Sequence, residues 1–138
     1  MNSKVKVAAF LLLLSPVPLL ANPVVYTDTQ HPPVNLSPGT RIVWLDGPEH
    51  LQNSLFGDLP ASMEQAASQA RTVLQSPDWQ RHEQALQVAY RGVMHAWELG
   101  VSKYPAVVFD DRDVVYGTLD VAKATALRAK ATETGGRP

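Results

Sequence analysis

Apolar positions form unbroken runs near both ends of the chain and recur at helical spacing between them. The first run, Val7–Leu14 (VAAFLLLL), follows Lys4 and Lys6 and precedes Ser15, Pro16 and Pro18. A spanning helix needs about 20 apolar residues, and this run is far shorter. A positive start, a short apolar core and helix breakers in that order predict a secretory signal cut after Ala21. An uncleaved N-terminal anchor is the alternative reading.

Asn22–Ala131 is then expected to fold as one domain. Pro23–Thr27 is β-branched and aromatic, as a strand requires, and Asp28–Pro33 ends it at Pro32 and Pro33. Leu36–Thr40 has the composition of a turn. Arg41–Asp46 reads as a second strand, apolar enough to be buried on both faces. Gly47 and Pro48 open a short helix that closes near Gly57. Ser62 and Gln65 have capping-box spacing, and Met63, Ala66, Ala67, Ala70, Val73 and Leu74 follow at helical intervals. Ser76-Pro77-Asp78 restarts the chain. The long helix after it carries Leu86, Ala89, Tyr90, Val93, Ala96 and Trp97 on one broad face, and ends at Gly100. Ala106–Phe109 is a strand, Asp110–Asp113 a polar turn and Val114–Gly117 the returning strand. Thr118 is expected to cap a last helix, and Thr132–Pro138 to fray as a disordered tail.

The chain contains no cysteine. Structural disulfides, thiol catalysis and cysteine-bound metals are therefore excluded, and packing alone must hold the domain. Without Lys4 and Lys6, ten Lys and Arg residues face thirteen Asp and Glu, a formal charge of -3. The basic residues are scattered and gather only on the last helix, so no basic face for direct nucleic-acid binding is expected.

Several residues could carry chemistry, and each has a plainer reading. His31 could be a ligand or proton carrier, or a solvated loop histidine, since no acid-base partner is identifiable. His50, His82 and His95 lack the pairwise spacing of a metal site, and no cofactor is expected. Asp110, Asp111 and Asp113 could chelate calcium, but a hairpin turn accounts for them more simply. Trp79, Tyr90 and Trp97 could form a docking surface, though their helical spacing favours core packing.

A loop, a proline, a buried strand, a tight hairpin, a glycine and a closing helix resemble the C-terminal half of the thioredoxin fold. The resemblance implies that Tyr104-Pro105 is cis and faces the loop after the first strand. There His31-Pro32-Pro33 stands where a thioredoxin holds its two cysteines. About a dozen residues separate the first two strands, too few for a full crossover helix. The expected fold is therefore α/β and thioredoxin-like. Its first helix is shortened, helices are inserted before the cis-Pro loop, and a C-terminal β-hairpin and helix complete it. Free backbone groups beside such a proline can pair with an extended segment, which makes His31, Pro32, Pro33, Tyr104 and Pro105 the candidate partner-docking residues.

The run Leu99-Gly100-Val101-Ser102-Lys103-Tyr104-Pro105-Ala106-Val107-Val108-Phe109-Asp110, with Val114-Val115-Tyr116-Gly117-Thr118-Leu119-Asp120-Val121-Ala122-Lys123-Ala124 after it, is more specific. It resembles a family of exported proteins encoded in integrating conjugative elements, similar to the periplasmic TrbC-type proteins of conjugation systems. Val25-Tyr26-Thr27, His31-Pro32 and Leu59-Pro60 extend the likeness over most of the mature chain. The resemblance implies a setting without a catalytic residue. It points to a non-enzymatic periplasmic component of a type IV secretion-like DNA transfer apparatus, and of mating pair formation. Its partners would be other conjugal transfer proteins, with no direct nucleic acid, no evident small-molecule substrate, and membrane association only through those partners. The alternative is a thiol-independent chaperone or isomerase, or a His31-dependent enzyme.

Overall fold

The computed structural model describes residues 22–135. The expected signal, residues 1–21, and the last three residues lie outside them. The element order is β1 (Val24–Thr27), β2 (Arg41–Trp44), α1 (Gly47–Phe56), α2 (Met63–Leu74), α3 (Trp79–Glu98), β3 (Ala106–Phe109), β4 (Asp113–Tyr116) and α4 (Val121–Gly135). The strands form one mixed α/β sheet in the order β2-β1-β3-β4. β1 runs parallel to β2 and antiparallel to β3, and β3 runs antiparallel to β4.

Side chains of a strand alternate between its faces, and here both faces are covered. Val24, Tyr26, Ala106 and Val108 pack toward Ala96 of α3. Val25, Val107 and Phe109 pack toward Val121 and Ala124 of α4. Every residue of β1 and β3 is consequently buried, as their unbroken apolar sequence requires. β2 departs from the expectation of a strand buried on both faces. It is an edge strand whose residues are exposed or half-buried, because its run follows the turn rather than the sheet centre.

The parallel link from β1 to β2 contains no helix among Asp28–Thr40. It crosses on the α4 face, where Val34 N–H donates to the Leu119 carbonyl at 2.8 Å and the Val34 carbonyl accepts from Val121 N–H at 3.1 Å. Asn35 turns the chain there at φ 51°, a conformation asparagine tolerates, and its Nδ2 donates to Asp120 Oδ2 at 2.8 Å.

α3 turns Leu86, Ala89, Val93 and Ala96 inward, whereas Tyr90 and Trp97 are exposed. Core packing was expected of all these residues, but Tyr90 and Trp97 flank the inward stripe. Trp79 does pack, edge-on against Phe56 of α1 at 6.2 Å. The N-cap of α3 is Asp78, two residues past the expected cap Ser76, so Pro77 precedes the helix and does not open it. Asp120 rather than Thr118 caps α4, with its Oδ1 accepting from Lys123 N–H at 2.9 Å. α4 continues through Thr132–Gly135, past the expected start of the frayed tail. α2 buries no residue, although Ser62 caps it as expected.

Candidate functional site

The docking residues expected from sequence belong to the loops at one end of the β1–β3 pair. Tyr26 pairs with Ala106, so the antiparallel register sets Thr27 opposite Pro105. Thr27 is fully buried, and its Oγ1 donates to the His31 carbonyl at 2.8 Å. His31 N–H donates to the Asp28 carbonyl at 3.1 Å, folding the loop into a turn. The His31 imidazole meets Asp28 through Nδ1 and Oδ1 at 2.5 Å. Pro32 is exposed and Pro33 half-buried. Across the sheet end, Tyr104-Pro105 is cis, and the Pro105 carbonyl accepts from Gly117 N–H at 3.0 Å.

Tyr104 lines a shallow cavity of about 530 Å³ with Leu45, Val93, Ala96 and Trp97, and no member of His31–Pro33 belongs to that lining. Trp97 is 80% exposed and Tyr104 56%. The structure thus brings Tyr104 to Trp97 and His31 to Asp28, and relates the two pairs through Thr27.

A polar cluster beside this loop escaped the sequence reading. Asp46, just before α1, accepts from Thr29 N–H at 3.2 and 3.0 Å. It also accepts from Thr29 Oγ1 at 2.6 Å. His50 Nε2 lies 3.0 Å from Asp46 Oδ2 and 3.1 Å from Thr29 Oγ1. Burial alone would raise the Asp46 pKa, but the hydrogen bonds from Thr29 and His50 outweigh it and hold the carboxyl below its usual range. An activated hydroxyl needs a base oriented by an acid on its far ring nitrogen. Here acid and hydroxyl share Nε2, so the cluster ties loop to helix and forms no relay. Its signal was present as the Asp-x-x-x-His spacing at the start of α1, and Asp28-x-x-His31 gave a similar one.

Of the three aspartates after β3, Asp110 and Asp111 form the hairpin turn and Asp113 opens β4. Asp110 and Asp111 both have positive φ, at 54° and 51°, and Arg112 N–H donates to the Phe109 carbonyl at 3.1 Å. This is the twist of a type I′ turn. Their carboxylates face cations: Arg128 of α4 bonds Asp110 and, at 2.9 Å, Asp113, and its guanidinium lies 4.9 Å from the Phe109 ring centroid. His95 of α3 stands 3.2 Å from Glu98 and 3.3 Å from Asp111. Among the described residues, no group of three or more His, Cys, Asp or Glu side chains could hold a metal ion. No helix among them is long and apolar enough to cross a membrane.

A larger open groove of about 1390 Å³ follows β2, between that strand and α3. Neither His31 nor Pro105 lines it.

No curated protein and no solved structure matches the chain. A family model does match, across residues 20–132, from just before β1 into α4. The chain therefore belongs to the family described as "Protein of unknown function (DUF1525)".

Proposed function

We propose that this chain is a non-enzymatic periplasmic component of the conjugative DNA transfer apparatus of an integrating conjugative element, and that it acts by docking to other transfer proteins. The sequence resemblance supplies the setting, and the surface of the domain supplies the mode of action. One observation carries that mode. Trp97 and Tyr104, both mostly exposed, rim a shallow apolar cavity beside Pro105. Exposed aromatics around an apolar pocket cost solubility in isolation and are the residues that anchor protein interfaces. Pro105 follows Tyr104 directly in the chain, and the His31–Pro33 loop lies outside the lining.

The scaffold is read as thioredoxin-like and similar to the TrbC-type proteins. The order β2-β1-β3-β4 with β3 antiparallel to both neighbours supports this reading. So does the cis Tyr104-Pro105 step at the entry to β3. The helix-free crossover corresponds to the shortened first helix, and α1–α3 to the helical insertion. In this reading the thiol site has become a His–Asp loop, and the neighbouring surface serves recognition.

Site-specific crosslinking tests the proposal. A photoreactive residue replacing Trp97 should crosslink to a transfer protein in donor cells carrying the whole element. The same residue at exposed Glu83 should not. Crosslinks at both positions alike, or at neither, would contradict the docking site.

A further inference from the structure

We infer that the open edge of β2 is a second binding site, which takes up an extended, acidic segment of a partner protein as an added strand. This site shares no lining residue with the Trp97–Tyr104 cavity and does not depend on a role in conjugation.

The backbone argument comes first. Arg41 N–H donates to the Pro23 carbonyl and Leu45 N–H to the Thr27 carbonyl, at 3.0 and 2.8 Å. Parallel strands use alternate residues for one neighbour, so Arg41, Val43 and Leu45 face β1. The N–H and C=O groups of Ile42 and Trp44 face outward, where no described strand pairs with them. An unpaired strand edge is a template for another chain.

The groove beside this edge suits a peptide. Val43 of β2 and Ala85, Val88, Ala89 and Gly92 of α3 supply an apolar wall, and Val88 is 66% exposed. Gly92 lets α3 lie low over the strand, since a Cβ there would stand 2.8 Å from Val43 Cγ1.

Charge then selects the occupant. Among the described residues, Arg41, Arg81 and Arg91 line the groove with Glu98 as its only carboxylate. Glu98 already meets His95, and Arg81 meets Asp78 at 3.2 Å. Among the described residues, Arg41 and Arg91 have no carboxylate within ion-pair distance. Side chains of an added strand alternate between the sheet faces, so two guanidiniums without a carboxylate partner on the α3 side fit a strand that turns acidic side chains toward α3 and apolar ones to the opposite face. Main-chain pairing would supply affinity and the arginines would supply selectivity.

Fluorescence anisotropy with the chain as recovered from expressing cells tests this. The probe is a short labelled peptide alternating valine and glutamate, and its counterpart alternates valine and lysine. The glutamate peptide should bind at least about tenfold more tightly, and Arg41→Glu with Arg91→Glu should invert the preference. Both arginines are exposed, so the fold should survive. N-methylation of alternate peptide amides should abolish binding in one register and spare it in the other. Hydrogen exchange at Ile42 and Trp44 should slow on binding. Equal or absent binding of the two peptides, or tolerance of N-methylation in both registers, would overturn the inference. Protection of Ile42 and Trp44 that rises with protein concentration alone would also overturn it, because the occupant would be a second copy. Each outcome leaves crosslinking at Trp97 unchanged, so the two proposals fail separately.

Discussion

His95 stands between carboxylates from two parts of the chain, Glu98 one turn along α3 and Asp111 at the hairpin tip. The Glu98 hydrogen bond, followed by that from Asp111, raises its pKa above the ordinary histidine value, outweighing the lowering effect of burial. A raised folded-state pKa adds stability that is full below the unfolded value, about 6.5, and disappears as pH rises through the folded one. The melting temperature should therefore fall across that window more steeply in wild type than in His95→Gln. An NMR titration of the His95 ring should show its midpoint above that of free histidine. Asp46 works in the opposite direction. Its depressed pKa adds stability above the ordinary carboxylate range that is lost as pH falls through the folded value. Asp46→Ala should cost about 1 kcal/mol, since its hydrogen bonds are partly solvent-screened, and denaturant melts at neutral pH would show it. These pairings were only partly legible in the chain. Asp28–His31 and Asp46–His50 lie three and four residues apart, within reach of a sequence reading. Asp111 comes to His95 only because the hairpin folds over α3.

The helices and strands were largely legible because their periodicities are strong, but the sequence does not say which flank of a helix is covered. Tyr90 and Trp97 fit the apolar stripe of α3 by spacing, yet they stand at its margin, where sheet contact ends. β2 looked like a central strand because nothing in four apolar-rich residues marks the absence of a neighbour. α3 lies so near β2 at Gly92 that a Cβ there would stand 2.8 Å from Val43 Cγ1. Gly92→Ala would gain up to about 1 kcal/mol of helix propensity, but overpacking costs about 1–3 kcal/mol. Its thermal melt should therefore fall, and Val43→Ala in the same chain should restore part of the loss. Arg128 fastens α4 to the hairpin through Asp110, Asp113 and the Phe109 ring. Arg128→Ala should destabilise by about 1–2 kcal/mol, and hydrogen exchange should rise at β4 and α4 ahead of β1.

At the level of the whole molecule, the domain divides into a dry two-faced sheet and a less covered helical side. α4 and the crossover loop close one face, while α2 and the outer flank of α3 leave Met63, Leu74, Met94 and Trp97 exposed. The division follows from the sequence only once the sheet order is known, because apolar spacing alone gives α2 and α3 equal claims to the core. A docking role requires the exposed aromatics to be dispensable for folding. Trp97→Ser with Tyr104→Ser should accordingly shift stability by no more than about 0.5 kcal/mol per site. The most direct test is the transfer frequency of the element from a donor with an in-frame deletion of this gene. The deletion should abolish transfer, and wild type supplied in trans should restore it. The Trp97→Ser, Tyr104→Ser chain, exported and folded at the same level, should not. Undiminished transfer from the deletion donor, or full rescue by the double variant, would contradict the account.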